Sequence, residues 1–321
     1  AAAGAAGLTF RRAELRGDDE VIDDKTPTEE ASGDPDTLKV TDVADLSAVT
    51  LLLSYPLLSM VDAQDGGPLA RRITTVRKEV SQALGYVLPG VRVRDDLALA
   101  ANDYRIKVGQ TVVAENKIYP DCKLALPSGS SRVKISGIDV KEPSFGIDAI
   151  WITPDREIEA EANGYVIIEP ETVLATHLSQ VLYKHASELI GQDDVQELLD
   201  NLSRVVPQLV QSVVPKLMPL HNLTAVLRHI LRERIPISDL RLILELLSEM
   251  ASRNLSIAET AEALRPHLVS LLIQQSTPLN NPIPVVTLES NFEHLLINSA
   301  KQSEGDQLLL DGSLAERMVH A

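Results

Sequence analysis

His177 and His185 stand eight residues apart, a spacing that lets them share one face of a helix. Two imidazoles on one face are the beginning of a metal site, but a protein site needs a third and usually a fourth ligand. Nothing near them in the chain completes such a set, and the other five histidines are scattered. They read as polar surface or as hydrogen-bonded core histidines, so no metal and no cofactor is expected. The paired carboxylates Asp95-Asp96 and Asp193-Asp194 could serve acid–base chemistry. They fit better as a turn and a helix start, where the helix dipole favours acids. No Gly-x-x-x-x-Gly-Lys-Ser/Thr, Gly-x-Gly-x-x-Gly, His-Glu-x-x-His or Gly-x-Ser-x-Gly occurs. Cys122 is the single cysteine, which excludes an intrachain disulfide and a cysteine zinc cluster and fits a reducing compartment. The expectation is a protein with no catalytic residue, not an enzyme. The rival is a hydrolase of unknown type built on acidic residues. Phe145 is one of three phenylalanines and follows Pro143 in a turn-like stretch before an apolar strand. It is either an exposed aromatic ringed by polar groups, the anatomy of a binding hot spot, or a plug between sheet and helix.

These residues sit in a chain of 321 residues, enough for two or three packed units at the usual domain size. Hydrophobic residues are 44% and aromatics 3%, so the core must be aliphatic and leucine-rich. A net charge of −16 repels phosphate backbones and anionic lipid, which argues against nucleic acid as a partner. Residues 17–45 carry eleven carboxylates against two lysines, with Pro27, Pro35, Gly17 and Gly33. Such a stretch buries too little surface to offset its ordering entropy and reads as a flexible linker. Residues 1–10 are small and apolar and are followed by Arg11, Arg12 and Arg16. That is either a loose N-terminus or the end of a membrane helix leaving on the cytoplasmic side. No apolar run reaches the roughly 18–20 residues of a full span.

Order begins near Val43. Val49–Leu53 reads as a buried strand, and Pro68–Leu84 as a helix with Leu69, Ile73, Val76, Val80 and Leu84 on one face. Strands are expected over 91–94, 104–108 and 111–114, the last two joined at Gly109-Gln110. A second group covers 124–126, 132–135, 147–152 and Tyr165–Ile168, with a short helix over 155–162. From Pro170 the apolar period changes from 2 to 3.6. Pro170 suits a first helical turn, Pro207 ends or kinks a helix, Ser238 can cap the helix after it, and Ser256 with Glu259 forms a capping box. Four or five amphipathic helices follow one another. A strand over 283–288 and helices over 291–300 and 313–320 come last. Three Asn-x-Ser/Thr sequons, at Asn201, Asn222 and Asn254, fall in helical segments.

Several runs carry a more specific signal. Tyr55-Pro56-Leu57-Leu58-Ser59-Met60-Val61-Asp62, Arg92-Val93-Arg94-Asp95 and Asp103-Tyr104-Arg105-Ile106 come first. Phe145-Gly146-Ile147-Asp148-Ala149-Ile150-Trp151-Ile152 and Gly164-Tyr165-Val166-Ile167-Ile168-Glu169-Pro170 follow, then Thr176-His177-Leu178 and 233–245. In order and spacing, over about residues 47–300, the chain resembles the cytoplasmic domain of the export-gate family that serves flagellum assembly and virulence type III secretion. It departs in having Ser238 where the family usually has Arg and Glu142 where flagellar members commonly have Asp.

The resemblance implies an α+β multi-domain fold. A small α/β first domain (43–120 plus 170–189) receives an inserted, mainly β second domain (121–169). An all-α helical domain (190–269) and an incomplete α/β last domain (270–321) follow. Residues 1–10 would be the tail of a membrane helix and 11–42 the acidic linker. It also implies a docking platform at the bacterial inner membrane, with this part on the cytoplasmic side, assembled as a nine-membered ring. Its partners would be export chaperone–substrate complexes and the export ATPase complex. Family chaperone-binding positions fall on Glu142, Phe145 and Thr176. The alternatives are a virulence-secretion paralogue and a helical oligomeric scaffold without cargo recognition.

Overall fold

Strand β1, Val49–Leu53, has a neighbouring strand on each side in the first sheet and is buried except at Leu52, which is half-buried. In the computed structural model the described residues are 47–61, 67–128, 134–277, 281–282, 285, 287–302 and 312. Readings for residues 1–46 and 313–320 lie outside them. The described residues from Ser47 onward fall in a single compact unit.

After β1 a 3-10 turn, Tyr55–Met60, leads toward helix α1, Pro68–Leu84. Pro68 occupies the first turn, where its missing N–H costs nothing. Gly85 ends α1 at φ +89°, a conformation that suits glycine. The chain returns as β2, Val91–Asp95, parallel to β1, then β3, Asp103–Val108, and β4, Thr111–Lys117. The sheet order is β2-β1-β3-β4, with a bulge between Ile106 and Lys107. Gly109-Gln110 makes the hairpin, Val108 facing Thr111.

The second sheet has order β6-β7-β5-β8, all antiparallel: β5 Lys123–Pro127, β6 Ile138–Lys141, β7 Asp148–Ile152 and β8 Tyr165–Ile168. Helix α2, Glu157–Ala162, lies before β8. The run Ala149–Ile150–Trp151–Ile152 is continuously apolar because both faces of β7 are covered. Leu124, Ala149 and Trp151 join the main core, and Ala125, Ile150 and Ile152 pack with Ile135, Ala160 and Tyr165 in a second, small one. The sheet begins and ends side by side, Leu124 facing Ile168, and Lys123 Nζ lies 2.8 Å from Glu157 and 3.0 Å from Glu169. Of the strand expected over 132–135, Lys134 and Ile135 are not in a strand, and the rest is outside the described residues.

The rest is helical: α3 Pro170–Lys184, α4 Ala186–Leu189, α5 Gln192–Ser203, α6 Pro207–Val213, α7 Leu220–Arg232, α8 Leu240–Met250, α9 Ile257–Ser276 and α10 Ser290–Gln302. Pro207 opens α6 rather than closing α5, since a proline at the first helical position gives up no hydrogen bond. Asp239, not Ser238, caps α8, its carboxylate accepting from the Leu242 N–H. The Ser256–Glu259 capping box forms as read. Described residues Val285, Thr287 and Leu288 are not in the expected strand.

Helices α1 and α3 pack together over the first sheet. Polar links join this region to the helices that follow. The Tyr86 hydroxyl donates to Ala186 O at 2.6 Å, Arg228 donates to Ile190 O, and the Ile237 N–H donates to Leu84 O. The last sets Ser238 directly over Gly85: a Cβ there would run into the Ser238 backbone nitrogen and Cα. At Gly109, φ +56°, a Cβ would meet nothing. Gly109→Ala should therefore cost only the left-handed strain, about 1–2 kcal/mol. Gly85→Ala adds a backbone collision, and thermal unfolding should show its midpoint falling at least twice as far. Equal shifts would mean that Ser238 yields freely.

Candidate functional site

The loop between β6 and β7 is built on one carboxylate. Lys141 faces Asp148 across the last ladder pair, their side chains 2.6 Å apart. The Glu142 N–H then donates to Ile147 O at 2.8 Å, and the Gly146 N–H donates to Glu142 O at 2.9 Å. Pro143 has no N–H, so the next donors are those of Ser144 and Phe145. Both reach the Glu142 side chain: Ser144 N–H to Oε1 at 2.9 Å, Phe145 N–H to Oε2 at 2.7 Å. Gly146 sits at φ +70° in open space, so its left-handed conformation, not crowding, selects glycine. The closed loop keeps Glu142 only 5% exposed and leaves Phe145 64% and Ile147 47% exposed. Phe145 therefore does not plug the core; its ring is exposed.

Behind this loop the Tyr104 hydroxyl of β3 and His177 Nδ1 of α3 are 2.6 Å apart, both residues buried, their rings edge to face. The phenol and the imidazole share this hydrogen bond, which satisfies the Nδ1 atom of His177 inside the core. Burial pushes the His177 pKa down, and the negative charge of Glu142 opposes the shift. Burial pushes the Tyr104 pKa up, with a further contribution from Glu142. The Glu142 charge thus acts on the pair that ties sheet to helix. Thr176 precedes His177 on α3 and is half-buried. Its hydroxyl donates to Thr172 O at 2.8 Å, which leaves the methyl and the acceptor lone pairs of the oxygen for a neighbour.

Glu142 and Phe145 are joined by a hydrogen bond, and Thr176 is one residue from the His177 that Glu142 influences. The other chemical candidates are apart. His185 pairs with Glu188 at 3.0 Å and shares no site with His177. Asp96 accepts from the Ala98 N–H in a turn, and Asp194 accepts from the Gly191 N–H at the start of α5. Burial and Asp121 raise the Cys122 pKa, which keeps it a thiol. Among the described residues no three His, Cys, Asp or Glu side chains gather to hold a metal. Sequence reading passed over Ile147. The available signal was its place opposite Glu142, visible only once β6 was recognised.

This arrangement of two small sheets and a following helical region recurs in solved structures of type III export-gate cytoplasmic domains. The Chlamydia pneumoniae CdsV protein superposes at TM-score 0.74 with 26% identity, over 90% of this chain and 83% of that one. The nonameric SctV-C of EPEC shares the fold at TM-score 0.66 and 18% identity, over 86% of this chain and 82% of that one. The FHIPEP family profile matches residues 1–321, and the chain belongs to this family of flagellar and type III secretion export-gate proteins. It is 34% identical to the flagellar biosynthesis protein FlhA of Escherichia coli over 83% of this chain, and 32% identical to that of Helicobacter pylori over 89%. It spans 38% and 39% of the length of those relatives. No helix among the described residues is long and apolar enough to cross a membrane.

The lowered His177 pKa fixes the sign of a pH effect. Below the ordinary imidazole value of 6.5 the unfolded chain takes up a proton that the folded chain refuses, so stability falls as pH drops through that value. Glutamine at this position can still accept from Tyr104 but cannot titrate. Urea midpoints of wild type and His177→Gln at pH 7.5 and 5.5 should show a smaller acid loss in the variant. Equal losses would remove His177 from the acid sensitivity.

Proposed function

We propose that the chain is a docking platform for export cargo, and that it works by binding rather than by catalysis. One observation carries the reading. In a family of protein-export gates, a bulky aromatic is held 64% exposed by a buried carboxylate that fixes its backbone. Exposure of an apolar ring in a closed, hydrogen-bonded loop is the arrangement expected of a contact residue. Glu142, Phe145 and Thr176 fall on positions where the family takes up export chaperones carrying late substrates. The hydrogen bond from Phe145 to Glu142, and the reach of the Glu142 charge to His177 next to Thr176 in the chain, support that role.

On the same reading the chain lies on the cytoplasmic side of the bacterial inner membrane. It carries the four-part layout of an inserted second domain (121–169) within the first, a helical third (190–269) and a fourth from 270. Ring formation with copies of itself is supported by the nonameric SctV-C structure, and contact with export-apparatus proteins by the complex of CdsV and CdsO. Identity of 32–34% to flagellar FlhA proteins favours flagellum assembly over the virulence paralogue.

The test is calorimetric titration of a purified flagellar export chaperone–substrate complex into wild type and Phe145→Ala. Truncating a hot-spot residue costs about 2 kcal/mol, roughly 30-fold in affinity. Circular dichroism should be unchanged, because little buried surface is lost. Equal affinities would take Phe145 out of the site.

A further inference from the structure

We infer that Glu142 is a positioning residue that a partner does not touch, and that Ile147 is the second apolar contact of the loop it shapes. The inference rests on the docking role proposed above and assigns the parts within it. Glu142 is 5% exposed, and each of its carboxylate oxygens already accepts an N–H from the loop. A carboxylate so placed has little surface to offer a partner. What it does instead is bind the backbone at 144 and 145 to the base of the loop. These two bonds, with those of Gly146 N–H to Glu142 O and Glu142 N–H to Ile147 O, close the six residues on themselves. An aromatic side chain on a loop fixed before binding loses less freedom when a partner arrives.

The register places the second contact. Val140 faces Ala149 and Ile138 faces Trp151 on the side of the second sheet that meets the main core. Glu142 and Ile147 continue the same ladder two residues on, so alternation points both to that side. Glu142 lies inward, where its charge reaches Tyr104 and His177. Ile147 lies at the rim and is 47% exposed. Phe145 and Ile147, two residues apart in one closed loop, therefore offer two exposed apolar side chains on a loop whose carboxylate is buried. The partner chemistry this fits is an apolar surface, such as the face of an amphipathic helix, and not a cation seeking Glu142.

Two measurements separate the parts. In the free protein, NMR hydrogen exchange at the Ser144 and Phe145 amides should quicken at least tenfold in Glu142→Ala. It should stay near wild type in Glu142→Asp, because aspartate can accept the same two N–H groups in an Asx-turn. Exchange unaltered by Glu142→Ala would overturn the positioning role. In titrations with the chaperone–substrate complex, Glu142→Ala and Ile147→Ser should each weaken binding about tenfold or more, Glu142→Asp should restore it, and Leu97→Ser, exposed on another loop, should bind as wild type. Loss in Glu142→Asp equal to that in Glu142→Ala would make Glu142 a direct contact. Full affinity in Ile147→Ser would remove the second contact. If wild type itself fails to bind, the docking role and the Ile147 contact both fall, while the exchange result decides the positioning role alone.

Discussion

The structure depends on one helix with a broad buried face that several elements share. Val173, Leu174, Ala175, His177, Leu178, Val181 and Leu182 of α3 are all buried. The helix packs on α1, reaches β5 of the second sheet and runs into α4. That broad buried face is apolar with a single exception among these seven, His177, while Thr172, Thr176, Ser179 and Gln180 on the other side are only partly buried. The exception is tolerated because Tyr104 satisfies its ring nitrogen, and an unsatisfied polar group there would cost about 1–3 kcal/mol. Both sheets and the helical region are therefore referred to the same element, and the exposed loop of the second sheet is held in register with it.

Trp151 shows how the second sheet is committed to the rest. Its indole stacks edge-on with Tyr119 at 5.7 Å and lies in the main core, while its neighbours Ile150 and Ile152 serve a separate small core. The sheet is not a free appendage, for one of its faces completes the interior of the first.

Features set by neighbours in sequence were legible from the residues alone. The Gly109-Gln110 hairpin, Pro170 at a first turn and the Ser256 capping box each follow from local geometry. Strand β6 was not legible. Ile-Asp-Val-Lys has one half-buried residue and three exposed ones, so an edge strand there leaves almost no apolar pattern. Without β6, the partner of Ile147 could not be known. Pro207 misled because a proline after an apolar helix fits an end as well as a beginning, and the choice depends on what the following residues pack against. Ser238 and Asp239 are both good caps, and the backbone path decided between them. At the site, the family resemblance selected Glu142, Phe145 and Thr176. The burial of the first and exposure of the second depend on two N–H bonds across a proline, which no periodicity reveals.

The two points where the chain enters and leaves the second sheet lie side by side, at Leu124 and Ile168, with Lys123 bridging to Glu169. Two adjacent crossings define a line. Strand β7 runs from Ile152, beside Lys123, away to Asp148, and the Phe145 loop hangs from its far end. Five residues at about 3.4 Å each make a lever arm of roughly 15 Å. A rotation of about 10° about the line would carry the loop about 3 Å, the length of one hydrogen bond, but Leu124, Ala149 and Trp151 packed in the main core oppose it. The core shared by the two sheets therefore fixes where Phe145 stands, and the lysine between two carboxylates braces the root of the arm that carries it.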